Sequence, residues 1–259
     1  MTPDITLEKF GYKFGQSGAH SARSIMLVEL QTLFVATPTD ALQDQYKTDI
    51  CDYNLLDKPT VKSRTLTYRH LIDLYGMSPD VPLFRVFRRL WDMEEACQPL
   101  LALQLALVRD PLLRLSSSLI VGTALGSPII RQDIEELLKA PDPQRFSPAS
   151  LKSFAQNING SWTQAGFLRG RNKKARSQPL VSPVNTAFAL FLAYLEGASG
   201  ERLLQSPQCK LFGLTDHHIN ELAIAAGHRG LIDFKQSGGV TEVRFTDYLA
   251  VGEEEWLHE

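Results

Sequence analysis

The sequence predicts a mainly α-helical protein, with a helical bundle core, two helix-turn-helix or winged-helix-like modules and a short C-terminal β-hairpin. Three observations predict this fold class. Apolar residues recur at helical spacing through most of the chain. Residues 100–108 are apolar nearly all round, which is typical of a helix buried by neighbours on several sides. Near the C-terminus, two segments that alternate apolar and polar residues flank a Gly-Gly pair.

A Pro-rich segment divides the predicted helices into two groups. Ala140-Pro141-Asp142-Pro143 is the clearest linker in the chain, because proline cannot continue a helix and restricts the residue before it. We therefore expect four parts: a flexible arm, an N-terminal helical domain, a C-terminal winged-helix-like domain and an acidic tail. They cover residues 1–17, 18–139, 147–250 and 251–259.

The N-terminal domain is expected to contain the first helix-turn-helix. A helix over His20–Phe34 precedes two helices capped by Thr39 and Thr60, since a threonine hydroxyl accepts hydrogen bonds from a first helical turn. Gly76 ends the last of them. Four cations of this module are predicted to contact DNA: Lys58, Lys62, Arg64 and Arg69. The alternative is an ordinary surface helix, on which Lys and Arg are common.

The second helix-turn-helix is predicted just after the linker. Ser147 caps a helix, Asn159-Gly160 forms a turn, and a short second helix ends at Gly166. Trp162 is expected to be a core residue. Three polar residues of the short helix are predicted to approach a DNA groove: Ser161, Thr163 and Gln164. The last of these is the best candidate for reading a base, since a glutamine amide can bond to adenine.

Five cations and no acid occupy the eight residues that follow: Arg169, Arg171, Lys173, Lys174 and Arg176. We expect this basic loop to neutralise DNA phosphates. Five contacts would give a slope of log affinity against log salt of about −4.5, at roughly 0.9 per contact. The rest of the chain carries −7, because 22 of the 27 cations remain against 29 acids, so only a local patch can attract DNA. A solvated charged loop is the alternative.

The C-terminal hairpin has a register that its own residues predict. A two-residue turn at Gly238-Gly239 makes every opposed pair match, either by opposite charge or by apolar character. The pairs are Lys235 with Glu242, Phe234 with Val243, Asp233 with Arg244, and Ile232 with Phe245. Because the hairpin follows a helix and its tip is neutral, we expect a wing that is structural or contacts protein at least as readily as DNA.

Composition and motifs narrow the function further. Three distant cysteines without CxxC spacing argue against disulfides and a zinc site, and suit a reducing cytoplasm. No secretory start and no apolar run long enough to cross a bilayer is visible, so we expect a cytoplasmic protein without a membrane partner. The sequence contains no P-loop, GxGxxG, HExxH or GxSxG motif. We therefore expect no metal, no cofactor and no catalysis.

Residues 19–75 resemble the N-terminal part of BrxA-type proteins from bacterial phage-exclusion (BREX) systems. The resemblance lies in Ser21-Ala22-Arg23, Leu27-Val28-Glu29-Leu30, the turn Asn54-Leu55-Leu56-x-Lys58-x-Thr60, and Arg64. It covers about a quarter of the chain, and a leucine-rich helical middle follows in both. It implies a mainly helical protein that binds DNA in defence against phage and lacks a known catalytic centre.

Together these observations predict a non-enzymatic DNA-binding subunit of a phage-defence system. Its partners would be double-stranded DNA and other proteins of that system. The alternative is a protein–protein adaptor within a defence or DNA-processing complex. A nuclease subunit whose acidic residues converge only in the folded state is a third hypothesis.

Overall fold

The structure is a computed structural model that describes residues 5–171 and 173–258. The protein is mainly helical, as the sequence predicts. Before the linker lie α1 (Ile5–Phe10), α2 (Leu27–Ala36), α3 (Gln43–Lys47), α4 (Val61–Tyr75), α5 (Pro82–Trp91), α6 (Gln98–Arg109), α7 (Pro111–Leu115), α8 (Ser117–Gly122) and α9 (Arg131–Lys139). After it lie α10 (Pro148–Gln164), α11 (Pro183–Leu195), α12 (Glu201–Leu204), α13 (Pro207–Lys210) and α14 (Asp216–His228).

Two small antiparallel sheets complete the described chain. The first contains β1 (Pro128–Ile129), β2 (Leu168–Arg169) and β3 (Lys174–Arg176), with β3 in the middle. The second is a hairpin of β4 (Asp233–Ser237) and β5 (Val240–Arg244).

The core is built around α6 and α11, which are buried along nearly their whole lengths. Helix α11 packs against α5 and α6, and the rings of Phe87 and Phe188 lie 6.4 Å apart. The Gln104 side chain donates a buried hydrogen bond of 2.9 Å to the carbonyl of Asn185. Buried apolar residues therefore form one cluster on both sides of the linker at residues 140–143.

The N-terminal arm is not the flexible segment that the sequence predicts. Helix α1 buries Leu7 and Phe10. Tyr12 is also buried, and its hydroxyl donates to the carbonyl of Leu192 at 3.2 Å. The prediction of a flexible arm is thus wrong for residues 5–12, and residues 1–4 lie outside the described part of the chain.

The acidic C-terminal segment is also packed onto the body of the protein. The Trp256 ring lies 5.3 Å from that of Phe10. Arg85 on α5 forms an ion pair with Glu253, whose carboxylate also accepts from the Ala250 N–H at 2.7 Å. The predicted tail is therefore held by its own aromatic and acidic side chains.

The helix predicted over His20–Phe34 begins only at Leu27. Residues 19–21 form a 3₁₀ turn, and Met26 has a φ of +52°. The chain leaves the helical path here because the Ile25 N–H donates to Ser161 Oγ at 3.0 Å instead of to a helical carbonyl.

The prediction for α4 is confirmed at both ends. The Thr60 hydroxyl accepts a bond from the Ser63 N–H at 3.1 Å, and Gly76, with a φ of +88°, follows the last turn. The predicted cap at Thr39 is wrong, since α3 begins at Gln43 and the Thr39 hydroxyl donates to Asp92 at 3.3 Å.

The predicted register of the C-terminal hairpin is confirmed. Asp233 pairs with Arg244, Phe234 with Val243 and Lys235 with Glu242. Gly238 and Gly239 have φ values of +57° and +81°, which is the conformation that a two-residue turn of the favoured hand needs.

The turn predicted at Asn159-Gly160 does not form. Helix α10 runs unbroken through these residues, and the hydroxyls of Ser161 and Thr163 donate back to the carbonyls four residues earlier. A Cβ added at Gly160 would lie 3.7 Å from the Ser24 side chain. This is an ordinary van der Waals distance, so the N-terminal segment packs beside α10 at Gly160 without requiring glycine there. The predicted second helix-turn-helix is wrong in this detail.

A buried polar network joins the N-terminal segment to α7 and α10. The Nδ1 of His20 lies 2.8 Å from Asp110 Oδ2, and its Nε2 lies 2.7 Å from Ser161 Oγ. Since a carboxylate only accepts hydrogen bonds, Nδ1 carries a proton. The three side chains are buried. Aspartate, histidine and serine follow one another in contact as in a hydrolase triad. The serine here is buried, so a substrate cannot reach it.

Asp110 is the acceptor at the centre of this network. Its carboxylate also receives the N–H groups of His20, Leu112 and Leu113 at 2.9 to 3.1 Å. Burial by itself would raise the pKa of Asp110, but the hydrogen bonds and charge of His20 outweigh that effect and lower the pKa. Gly18 fits against this carboxylate because a Cβ there would lie 2.1 Å from Asp110 Oδ1.

We predict that Asp110→Asn lowers the free energy of unfolding by about 2–3 kcal/mol at pH 7, because charge-assisted hydrogen bonds are lost. The folded-state pKa lies below the ordinary value of about 3.9. The stabilisation is therefore complete above that value and is lost as the pH falls through the folded-state pKa. Urea unfolding should show the gap to wild type narrowing below about pH 4. The exposed Asp40→Asn is the control, and a pH-independent gap would contradict the prediction.

Candidate nucleic-acid interface

The described residues of the basic segment contribute two strands, β2 and β3, to the three-stranded sheet. Strand β1 leads into α9, α9 packs against α10, and β2 and β3 follow α10. Strand, helix, helix and hairpin in this order, with the first strand joining the hairpin, is the arrangement of a winged helix. We call residues 168–176 the basic wing. The helix–wing pair predicted with the C-terminal hairpin is thus accompanied by a second pair earlier in the chain.

Two glycines shape the basic wing. Gly166, with a φ of +83°, follows the end of α10 and turns the chain into β2. Gly170 has a φ of +107°, and a Cβ at this position would lie 2.1 Å from the carbonyl oxygen of Lys173. The tight turn therefore requires glycine at Gly170.

Pairing in the sheet separates the five predicted phosphate contacts. Arg169 is opposite Ala175, and Leu168 is opposite Arg176. Directly paired residues share a face of an antiparallel sheet, so Arg169 lies on the face away from Arg176. Arg169, Arg171 and Lys173 are exposed, and Lys174 is half-buried. Within the described residues, none of these four makes an ion pair.

Arg176 is a structural residue, and the prediction that it meets phosphate is wrong. It is buried, and its guanidinium donates to the carbonyls of Ile120, Phe167 and Ser177. The guanidinium also lies 4.9 Å from the centre of the Phe167 ring. Burial lowers the pKa of Arg176. This arginine fastens the base of the wing to α8 and to the end of α10.

The three polar residues predicted to enter a DNA groove differ in how accessible they are in the structure. Ser161 is fully buried in the network with His20, which excludes it from contact with DNA. Thr163 is half-buried and bonds to the Asn159 carbonyl at 2.7 Å. Gln164 is exposed, but its amide donates to Ser24 at 3.3 Å. Trp162 is a core residue as predicted, with Nε1 donating to Ser116 at 2.7 Å.

A groove of about 670 Å³ opens between the wing, α10 and the start of α9. Its charged lining consists of cations alone: Arg131, Arg171, Lys173 and Lys174. Three amides and an apolar edge complete most of the wall: Gln132, Gln156, Asn159, Pro128, Ile129 and Ile130. Arg131 is paired with Glu135 at 2.5 Å, so the wing supplies the unpaired charge.

The sequence analysis placed a turn at Asn159 and did not single out Gln156, which lies in the predicted helix. On an unbroken helix, Lys152, Gln156 and Gly160 fall four residues apart and share a face. Lys152 and Gln156 are exposed. The four-residue spacing of Lys152 and Gln156 in the sequence was therefore the signal that could have predicted this shared face.

Asn159 has an unusual environment for a polar side chain. It is only 8% exposed, it lines the groove, and its Oδ1 has no hydrogen-bond partner within the described part of the chain. A buried polar atom without a partner costs about 1–3 kcal/mol.

The first module keeps two of its four predicted contacts accessible. Lys58 is paired with Glu29 at 3.0 Å, and Arg64 donates to the Cys51 carbonyl at 3.0 Å. Lys58 holds the turn before α4 to α2, and Arg64 holds α4 to Cys51. Lys62 and Arg69 are exposed on α4 and make no ion pair with a described residue.

Neither a metal centre nor a membrane span is found in the part of the chain that the structure describes. No three His, Cys, Asp or Glu side chains in it converge as metal ligands would. None of its helices combines the length and apolar character that crossing a bilayer requires.

The sequence matches no protein-family model, and no curated protein matches it significantly. The resemblance of residues 19–75 to BrxA-type proteins therefore stays a prediction. The residues that carry it have clear structural roles here. Asn54 accepts from the Lys58 N–H at 2.8 Å, and the Lys58–Glu29 pair links the turn to α2.

We predict that Arg176→Ala lowers the free energy of unfolding by about 2–4 kcal/mol, because buried carbonyls lose their donor and a cavity is left. The matched control is Arg171→Ala, five residues away and exposed, which should change stability by less than about 0.5 kcal/mol. Thermal and urea unfolding of both variants would measure the difference. Equal effects would mean that Arg176 does not fasten the wing.

Proposed function

We propose that the protein binds double-stranded DNA without catalysing a reaction, through α10 and the basic wing. One observation carries the proposal: the wing holds three unpaired cations against a groove whose described charged lining contains no acid. The exposed face of α10 beside it carries Lys152 and Gln156. Phosphate contacts position such a helix, and amide side chains can read base edges.

The charge distribution of the chain supports this proposal. The protein has a net charge of −2, and the chain outside the wing carries −7, since 22 cations remain there against 29 acids, so the wing is a local concentration of positive charge. Lys62 and Arg69 on α4 are a second candidate contact. Their accessibility is the supporting observation, since Lys58 and Arg64 of the same module are engaged within the protein.

The proposed setting is bacterial phage defence, and the support for it is the resemblance of residues 19–75 to BrxA-type proteins. Other proteins of the defence system would then be partners. A test is phage plaque formation on a host that carries the complete system. Loss of protection when the groove cations are replaced, with the system's other proteins still present, is the expected result. Unchanged protection would contradict the assignment.

An adaptor function is the second candidate, and exposed apolar residues favour it. Val28 and Val35 lie seven residues apart on α2, two helical turns, and are 69% and 90% exposed. For an adaptor, the double variant Val28→Ser, Val35→Ser is expected to lose co-purification with a defined protein of the defence system. Its affinity for DNA should stay unchanged.

We predict that wild-type protein binds a blunt duplex with a salt slope of about −3.6, from four wing contacts at roughly 0.9 each. The triple variant Arg171→Ala, Lys173→Ala, Lys174→Ala should reduce the slope by about 2.7 and weaken binding at least about tenfold at low salt. Fluorescence anisotropy across a salt series would measure both values. Lys62→Ala with Arg69→Ala, measured separately, tests the second contact.

The matched control removes three exposed cations elsewhere, Lys47→Ala, Lys210→Ala and Lys235→Ala. It changes net charge by the same amount, so it separates a local footprint from general attraction. Absence of binding by wild type, or equal losses in the two triple variants, would reject the proposed interface.

A further inference from the structure

Residues 19–25 fill the seam between α4 and α10, the two helices that carry candidate DNA contacts. The 3₁₀ turn of this segment contacts both helices. On one side, the Tyr75 hydroxyl at the end of α4 donates to the carbonyl of Ile25. On the other side, the Asn157 amide of α10 donates to the carbonyl of His20 at 3.0 Å. The two helices are therefore linked through one hydrogen-bonded segment.

Arg23 belongs to this segment and lies next to both helices. It is exposed. On the α10 side, the neighbouring Ser24 accepts from Gln164 at 3.3 Å and would lie 3.7 Å from a Cβ at Gly160. On the α4 side, burial and then the charge of Arg23 lower the pKa of His70, so the two side chains lie within electrostatic range. Arg23 therefore adjoins a face of each helix.

The exposed cations of the two helices lie on the faces beside this arginine. Lys152 shares the face of α10 that carries Gly160, because the two are separated by two steps of four residues. Arg69 directly precedes His70 on α4, and Lys62 lies two helical turns before it. Each of these three cations is exposed and lacks an ion pair with a described residue. A belt of unpaired positive charge therefore extends from α4 across the seam to α10.

Acidic residues are nearly absent from the segments that form this belt. Residues 13–28, 61–75 and 148–164 contain six Lys and Arg residues and a single acid. That acid, Asp73, is paired with Lys13 at 2.9 Å. Together with the wing, these segments hold 11 of the 27 cations and one of the 29 acids, so the remaining 16 cations and 28 acids leave −12 elsewhere. Such a separation of charge suits a polyanion that lies along the whole belt.

We propose that a single DNA duplex lies across α4 and the α10–wing surface at once, and that Arg23 binds its backbone where the two helix faces meet. A duplex carries about one charge for each 1.7 Å of its axis, so it matches a continuous belt of cations. Buried hydrogen bonds of Ile25 to Tyr75 and Ser161 hold the seam, so both faces are presented in a fixed relative position. The inference rests on the proposed function, because it extends the same duplex from the wing onto α4.

The test counts duplexes per chain and measures the salt slope with the full protein. The probe is a blunt duplex of about 20 base pairs, about 68 Å long at 3.4 Å per base pair. It exceeds the combined lengths of α4 and α10, about 22 and 26 Å at 1.5 Å per residue. Sedimentation should give one duplex per chain. Contacts of Arg23, Lys62 and Arg69 should steepen the slope by about 2.7 beyond the value of about −3.6 for the wing contacts, at roughly 0.9 each.

Arg23→Ala should reduce the slope by about 0.9 and weaken binding at least about threefold at low salt. Thermal stability should not fall, because the side chain is exposed and bonds to the adjacent Ala22 carbonyl. The matched control is Arg202→Ala, an exposed arginine elsewhere in the described chain, and it should leave slope and affinity unchanged. Lys62→Ala with Arg69→Ala should weaken the same binding event and keep the ratio at one duplex per chain.

Two duplexes per chain would overturn the inference, because α4 and the wing would then bind separately. A wild-type slope of about −3.6 that Arg23→Ala leaves unchanged would overturn it as well. In either case, loss of binding in the triple variant of the wing would leave the proposed function standing. A wild type that binds no duplex would reject the proposed function and the inference together.

Discussion

The position of α10 depends on a hydrogen-bond network that contains no solvent-exposed atom. Ser161 near the end of α10 bonds to His20, and His20 bonds to Asp110 at the start of α7. Three segments distant in sequence are joined by one imidazole. Because polar atoms in the interior are costly unless every partner is present, this network permits only one placement of the helix. Because the wing follows α10 directly in the chain, the position of the helix also determines where the wing lies.

Burial gives chemically similar cations different roles. Arg176 and Arg171 lie in one hairpin, yet the first satisfies buried carbonyls and the second is exposed to solvent. Lys58 and Arg64 are likewise engaged with Glu29 and a backbone carbonyl. A cluster of positive charge in a sequence is therefore not a binding footprint until the structure shows which members are already occupied.

The sequence predicted features whose causes are local. The hairpin register follows from a Gly-Gly turn and matched pairs, and α4 follows from Thr60 and Gly76. The leucine-rich helix α6 and the core position of Trp162 follow from apolar patterning.

Features with distant causes were missed. Gly160 predicts a turn, but α10 continues through it, and the next residue, Ser161, bonds to the distant His20 and Ile25. Helix α1 looks polar until Trp256 packs on Phe10. The wing was predicted as a loop because β2 and β3 contain only two and three residues, too few for an alternating pattern, and β1 comes from about 40 residues earlier in the chain.

The anchoring of Arg176 has a consequence for the strength of any interaction that the wing makes. A flexible loop must lose backbone entropy when it binds, about 1–2 kcal/mol for each residue that becomes ordered. The base of this hairpin is already fixed by the guanidinium and by the strict turn at Gly170. The backbone at the base of the hairpin is therefore preorganised, and association there costs mainly the rotamer freedom of exposed Lys and Arg side chains.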